Sequence, residues 1–258
     1  MNNKWINGIW KDGEFKNRKW QDGIWENGEF VDSEWFDGTF NNGKIYKSKW
    51  YNGIFNDGTF EYSDWLNGTF KNGNFFNSKW YSGTFEYGIF THSHWYNGVF
   101  NGNINNEIHY NGLETDLDSG SHGSIIQSVW YNGIFNSGKI QNSEWKDGTS
   151  NGGLFNNVLW INGIFNNSHF INGGWFNGDM NNSTFYNGIW YRGTFNNSTW
   201  INGIWVNGTW NGGKWGKGIW VNGTWNGGEI YSEREKKYVV SNINPNEFLI
   251  EENKKHNV

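Results

Sequence analysis

A strict five-residue period runs through almost the whole chain. All 20 Trp fall at residue numbers divisible by five, and so do all but four of the 20 Phe. An amphipathic helix would repeat its apolar residues about every 3.6 positions, and an ordinary strand every two. A period of five fits three-residue strands that each present one central inward ring and are joined by two-residue corners.

Glycine punctuates this pattern at the predicted corners. The chain has 37 Gly, and a Gly commonly stands two residues before a ring, as Gly53 does before Phe55 and Gly58 before Phe60. Because Gly adopts positive φ with little steric cost, these positions suit tight corners.

A second period of 15 residues lies over the first. The unit reads W-x-N-G-x-F-x-x-G-x-F-x-N-S-x, and Ser replaces Gly at every third corner. The residues that define this period are Trp5, Trp20, Trp35, Trp50, Trp65, Trp80 and Trp95, with Ser33, Ser48, Ser63, Ser78 and Ser93. The repeat is therefore three pentamers long.

Two arrangements of the strands are possible. In a flat meander, Asn-Gly would form hairpin turns and each strand would pair with its sequence neighbour. In a solenoid, each strand would stack on the strand one coil later. The outward charges favour the solenoid, because cross-strand neighbours should alternate in sign. At 15-residue steps the chain alternates as Lys19, Glu34, Lys49, Asp64 and Lys79.

Segments such as "GIFND" at 53–57 and "GTFNN" at 193–197 resemble the pentapeptide-repeat proteins, in an aromatic Trp/Phe-Asn-Gly variant. The resemblance covers roughly residues 5–104 and 130–230 and implies an all-β, right-handed solenoid with a small and a large apolar residue facing inward. That family uses Leu or Phe rather than Trp, and its coil has four sides. The 15-residue period favours three sides, whereas the volume of three inward rings per coil favours the larger, four-sided coil.

The pattern divides the chain into four predicted parts. Residues 1–104 and 130–230 form two solenoid blocks, and 105–129 form a degenerate coil or loop where the aromatic residues thin out. Residues 231–258 leave the repeat and predict a cap or docking tail. Its expected elements are a strand in "KYVVSNI" and a helix that begins near Pro245 with Asn244 as its N-cap.

Composition excludes several classes of function. The net charge of −5 is mixed along the chain, so no field favours nucleic acid. There is no Cys, and no apolar run approaches the roughly 20 residues needed for membrane insertion. The chain has no segment of signal-peptide type, which favours assembly in a virion or in the cytoplasm.

Sites for metals or catalysis are weakly indicated. Glu114, Asp116 and Asp118 are spaced loosely like a calcium loop, but the Gly and the bidentate Glu of that motif are misplaced. His92 and His94 would share a strand face, and two ligands alone do not make a metal site. No nucleophile with a base and an orienting group is visible. We expect no enzyme activity, no cofactor and no metal.

The strongest candidate site is a lateral stripe. Its positions lie outward beside one corner, where polar residues are expected, yet they are largely apolar or aromatic. They are Phe36, Tyr51, Leu66, Tyr81 and Tyr96 on one side, and Ile54, Thr69, Thr84 and Val99 on the other. Exposed apolar strips often mark contact surfaces, although the same residue types also have high β-propensity.

These observations predict a non-enzymatic structural or attachment protein, a rigid rod with lateral or end-to-end contacts. Its expected partners are further copies or other structural subunits, and similar aromatic pentamer arrays in virion proteins suggest a virion or filament component. The alternative is a carbohydrate-binding module that stacks Tyr and Phe of the stripe on sugar rings. Mimicry of duplex nucleic acid would need acidic columns, which the alternating Lys/Glu column contradicts.

Overall fold

The structure is a computed structural model that describes residues 4–102 and 123–254. The chain divides into two compact units, Met1–Ser143 and Glu144–Val258. In both units the described residues form a parallel β-solenoid followed, in the second unit, by one short helix. The all-β class predicted from the five-residue period is confirmed.

Each coil of the first unit contains three strands, and each strand pairs in parallel with its counterpart 15 residues away. Trp50, for example, lies in register with Trp35 on one side and Trp65 on the other. The predicted solenoid and its three-sided coil are confirmed, and the flat meander and the four-sided coil are wrong. We name the three faces side 1, side 2 and side 3 in chain order.

The strands of the first unit are short. Side 1 consists of Lys4–Trp5, Lys19–Trp20, Glu34–Trp35, Lys49–Trp50, Asp64–Trp65, Lys79–Trp80, His94–Trp95 and Val129–Trp130. Side 2 consists of Ile9–Trp10, Ile24–Trp25, Thr39–Phe40, Ile54–Phe55, Thr69–Phe70, Thr84–Phe85, Val99–Phe100 and Ile134–Phe135. Side 3 consists of Glu14–Lys16, Glu29–Val31, Lys44–Tyr46, Thr59–Glu61, Asn74–Phe76, Ile89–Thr91, Ser124–Ile126 and Lys139–Gln141.

The coils on either side of residues 103–122 remain in register. Ile89–Thr91 pairs with Ser124–Ile126, and Trp95 pairs with Trp130. This pairing spans 35 residues rather than 15, as does the hydrogen bond from the amide of Ser93 to Ser128 Oγ. The break in the Trp period thus leaves the strand ladder intact. The four-part division of the chain remains a prediction.

The second unit continues the same construction with several longer strands that bend through a corner. Its strands are Glu144–Trp145, Thr149–Ser150, Gly153–Trp160, Ile164–Asn166, Ser168–Trp175, Asp179–Asn181, Thr184–Trp190, Thr194–Trp200, Ile204–Trp205, Thr209–Trp215, Ile219–Trp220, Thr224–Trp225, Gly228–Ser232 and Lys237–Ser241. Trp175 pairs with Trp160 and Trp190, again at a 15-residue offset.

A non-repeat element covers the last coil of the second unit. Lys237–Ser241 pairs antiparallel with Gly228–Ser232, and the indole nitrogen of Trp225 donates to the carbonyl of Ser241. The helix Pro245–Lys254 follows. Asn244 Oδ1 accepts hydrogen bonds from the amides of the second and third helical residues, so the predicted strand, helix and N-cap are confirmed.

The core consists of three columns of stacked rings. Along a column the rings lie face to face, as Trp50 and Trp65 do with centroids 4.8 Å apart and planes 8° apart. Between sides they meet edge to face, as Trp65 and Phe70 do at 5.8 Å and 76°. The distance between stacked rings matches the spacing between neighbouring strands, which is about 4.8 Å. Three rings therefore fit in each triangular coil. The volume argument for a four-sided coil failed because rings of neighbouring sides meet edge to face and so share the space inside the coil.

The corners use two kinds of backbone. Gly53, between sides 1 and 2, has φ 115°, which confirms the expected positive φ. The corner between sides 3 and 1 instead places a non-Gly residue, such as Tyr62 with φ 50°, immediately before a buried Ser. The amide of Ser48 donates to Ser63 Oγ, and Ser63 Oγ donates to the carbonyl of Glu61. The serines therefore form a buried ladder from coil to coil.

Candidate contact surface

The inward positions of the coils are filled by side chains. Trp50, Phe55 and Phe60, the three rings of one coil, are fully buried, and the same holds for most coils of both units. Large rings at native contact distances leave no room for a ligand between them. Any functional contact of these coils therefore has to use the outward side chains.

The first flank of the predicted stripe is an ordered column. Phe36 stacks on Tyr51 with centroids 4.6 Å apart and planes 3° apart. Leu66 follows in the same register, and then Tyr81 stacks on Tyr96 at 5.0 Å. The structure adds a residue that sequence reasoning missed, since Tyr131 stacks on Tyr96 at 4.9 Å across the 35-residue step. We name these six residues the aromatic column.

Stacking within the aromatic column determines which atoms solvent can reach. An inner ring such as Tyr96 has one face against Tyr81 and the other against Tyr131. The ring edge and the hydroxyl are the parts of Tyr96 that this stacking leaves uncovered. The column therefore offers edges to a partner, whereas stacking on a sugar would require a free ring face.

The second flank of the stripe is also a continuous column. Ile54 pairs with Thr69, Thr69 with Thr84, and Thr84 with Val99. Ile54 is exposed, while the other three are half-buried. The structure thus brings together all nine predicted residues as two columns beside the corner of sides 1 and 2. Their role in binding remains a prediction.

Charged residues border the aromatic column on side 1. The predicted alternation is confirmed, because Lys49 pairs with Glu34 and with Asp64. Lys49 Nζ also lies 5.1 Å from the centroid of the Tyr51 ring, and Lys19 Nζ lies 3.2 Å from Glu34 Oε2. These are exposed interactions of modest strength. They surround the rings with charges of both signs.

The second unit carries an apolar surface that sequence reasoning missed. On side 1 the residues on both sides of each buried Trp are uncharged over five consecutive coils. We name this set the apolar face: Leu159, Ile161, Gly174, Phe176, Ile189, Tyr191, Ile204, Val206, Ile219 and Val221. The sequence signal was available, because the position occupied by Lys or Glu in the first unit holds Leu, Gly or Ile here.

A polar groove runs beside the corner of sides 1 and 2 in the second unit. Its volume is ≈ 390 Å³, and its lining includes Asp147, Asn162, Asn177, Asp179 and Thr194. The side chains are linked from coil to coil, since Asn177 Nδ2 donates to Asn162 Oδ1 at 3.1 Å. The groove thus presents a regular row of amide, carboxylate and hydroxyl groups to solvent.

The metal candidates are not assembled by the described residues. Glu114, Asp116 and Asp118 lie outside the described residues. His92 lies at a corner with φ 50° and His94 in the charged column, so the expected shared strand face is wrong. Among residues 4–102 and 123–254, no three His, Asp or Glu side chains are grouped to hold a metal ion.

Six titratable groups of the described residues have shifted pKa values, and His169 and Lys44 are two of them. Burial in the second unit lowers the pKa of His169 below its usual value of 6.5. In the first unit, the hydrogen bond from Lys44 to Glu61 raises the pKa of the Lys44 amine. Lys44 Nζ lies 2.8 Å from Glu61 Oε2. Neither group lies in the aromatic column or on the apolar face.

Comparison with known proteins finds no matching protein-family model, no matching curated protein and no matching solved structure. Within the part of the chain that the structure describes, no helix is long and apolar enough to cross a membrane. The fold and the two exposed surfaces are therefore the basis for assigning a function.

Proposed function

We propose that this protein is a non-enzymatic structural or attachment protein that binds further copies of itself or other structural subunits through its outward columns. The observation that carries the proposal is the aromatic column. In it, Tyr81, Tyr96 and Tyr131 keep one stacking register over consecutive coils, and Tyr81 and Tyr131 are exposed while Tyr96 is half-buried. An ordered apolar strip of this kind on a soluble protein usually marks a contact surface.

The packing of the coils supports the same proposal. Buried side chains, most of them aromatic, fill the inward positions on all three sides, so the coil is built as a scaffold around its own side chains. Parallel strand pairing at a fixed spacing gives each column a regular outer surface. Regular columns suit contacts that repeat along an assembly.

The resemblance to pentapeptide-repeat proteins, and to aromatic pentamer arrays in virion proteins, supports a component of a virion or another multi-subunit filament. Segments such as "GTFNN" at 193–197 carry that resemblance. It is a likeness of pattern, so the assembly itself has to be measured.

The test is the mass of the purified chain in solution, measured by light scattering over a range of concentrations, with negative-stain electron microscopy of the same samples. We expect species heavier than the 30.0 kDa chain, increasing with concentration. A single 30.0 kDa species at every concentration would overturn self-association as the function.

A carbohydrate-binding module is the second candidate, favoured by the polar groove. Asn162, Asn177 and Thr194 offer amide and hydroxyl groups at one-coil spacing, which suits hydrogen bonding to a polyhydroxylated chain. Sugar stacking on the aromatic column is disfavoured, because the ring faces cover one another. Binding to a glycan array that is lost on Asn177→Ala would support this function, and silence across the array would overturn it.

A further inference from the structure

The apolar face is the one outward surface of these five coils on which neither column carries a charged residue. On side 2 the corresponding columns hold Thr and Asn, such as Thr194 with Asn196. On side 3 one column includes Lys214 and Glu229, and the other holds the half-buried Ile171, Tyr186 and Ile201. On side 1, Leu159, Ile204 and Ile219 are 38%, 37% and 59% exposed. The exposed large apolar side chains of these coils are therefore concentrated on side 1, with Ile164 on side 2 as the exception.

The surface is also closely packed within itself. Phe176 stacks on Tyr191 with centroids 4.6 Å apart. Gly174 has no side chain, and its neighbours pack into the space that a side chain would occupy. A Cβ atom at Gly174 would lie 3.2 Å from Leu159 Cδ1 and 3.6 Å from Phe176 Cε2. The side chains thus form a continuous apolar layer instead of isolated exposed residues.

We propose that the apolar face of the second unit binds the apolar face of a second copy of this chain, side 1 against side 1. The proposal rests on the proposed structural function and names the surface and the partner. It is an isologous contact, in which the same patch is used on both copies.

The spacing of the coils favours another coil stack as the partner. Trp160, Trp175 and Trp190 pair strand by strand, so their outward neighbours repeat at about 4.8 Å. A partner matches that repeat over all five coils only if its own strands have the same spacing, and an identical copy of the chain meets this condition. Two apolar β-surfaces then pack face to face at about 10 Å, as the sheets of a sandwich do.

Charge favours the same partner. None of the ten positions of the apolar face is charged. Two identical faces can therefore meet without placing like charges together, whereas the side 1 column of the first unit would bring Lys and Glu into the contact.

The area predicts a weak, reversible dimer. Five coils of one side present on the order of 500 Å² of apolar surface, which is as large as the largest patches on ordinary monomers. Two copies would bury on the order of 1,000 Å², the lower end of specific interfaces. The contact should therefore form at high concentration and dissociate on dilution.

The experiment is sedimentation velocity on the full chain over a concentration series. The face variant carries Ile204→Lys and Ile219→Lys. These substitutions are compatible with the coil, because Lys4 and Lys19 already pair at the equivalent side 1 positions of the first unit. The control variant carries Thr184→Lys and Thr199→Lys on side 3, where equivalent positions hold Lys44, Lys139 and Lys214.

We expect the face variant to raise the dimer dissociation constant at least about tenfold and the control variant to change it less than about twofold. Circular dichroism and melting temperature confirm that both variants fold. If the wild type assembles and the face variant assembles equally well, this inference is overturned while the structural function stands. A wild type that stays monomeric at every concentration overturns both this inference and self-association as the function.

Discussion

Gly53 lies so close to Gly38 of the preceding coil that a Cβ atom on Gly53 would sit 2.5 Å from the carbonyl oxygen of Gly38. Gly53 also has φ 115°, which L side chains rarely adopt. The corner therefore requires glycine for two reasons, the backbone conformation and the close approach of the neighbouring coil.

Gly53→Ala should lower the free energy of unfolding by about 3 kcal/mol, since it adds both strain and a backbone clash. The matched control is Gly8→Ala in the first coil. Gly8 has φ 132°, but a Cβ there would meet only the side chain of Trp5, at 3.2 Å. Denaturant unfolding followed by circular dichroism should show the smaller loss for Gly8→Ala. Equal losses of stability would mean that the close approach of Gly53 to the backbone of Gly38 contributes little to the effect of Gly53→Ala.

Much of this fold could be predicted from the sequence. The 15-residue period and the alternating charges at Lys19, Glu34 and Lys49 were enough to choose the solenoid over the meander, and the three-sided coil follows from the same period. These features depend on strand register, which sequence periodicity reports directly. The helix cap at Asn244 was equally readable, because its chemistry is local.

Other features depend on three-dimensional fit and were missed. The positive φ of Tyr62 has no local sequence signal, because the serine ladder of the neighbouring coils determines that corner. The ring packing depends on parallel stacking between coils, as in Trp65 and Trp80 with centroids 4.8 Å apart. The apolar face depends on which columns the fold places side by side on side 1, although Ile189, Ile204 and Ile219 stand 15 residues apart in the sequence.

Ser63→Ala should destabilise the first unit through the serine ladder. The substitution removes the acceptor of the Ser48 amide and the donor to the Glu61 carbonyl. A buried amide left without a partner costs about 1–3 kcal/mol. Ser82→Ala, at the half-buried corner between sides 1 and 2, is the control and should cost less than about 0.5 kcal/mol. Similar losses for both variants would contradict a structural role for the ladder.

Trp65→Ala should be among the most destabilising core substitutions. Trp65 stacks on Trp50 and Trp80 at 4.8 Å and is fully buried, so truncation removes contacts in two neighbouring coils. We expect a loss of about 4 kcal/mol, and a loss below about 2 kcal/mol for Trp65→Phe. The chain already tolerates such an exchange, since Trp25 stacks on Phe40 at 5.5 Å. Unfolding by guanidinium chloride, followed by circular dichroism, measures both. Equal losses would contradict the importance of ring stacking.

Lys49→Glu tests the charged column of side 1. The substitution places three acidic residues in consecutive strands, Glu34, Glu at 49 and Asp64, where opposite charges now alternate. We expect a loss of about 0.5–1 kcal/mol in low salt that shrinks in high salt. Lys4→Glu is the opposite case, because Lys4 pairs with Lys19 and the change removes a like-charge pair. Its melting temperature in low salt should not fall, and a fall equal to that of Lys49→Glu would refute the charge argument.

Acid should destabilise the second unit through His169. Burial lowers the pKa of its imidazole in the folded state below the usual 6.5, so the unfolded state binds more protons in mildly acidic solution. The contribution of the neutral His169 side chain to stability is thus fully present above about pH 6.5 and decreases as the pH falls below that value.

Thr184 occupies the equivalent position one coil later, which makes His169→Thr a conservative control. The melting temperature of the wild type should fall more steeply than that of His169→Thr between about pH 7 and pH 5. Parallel pH profiles would show that His169 does not set the acid sensitivity.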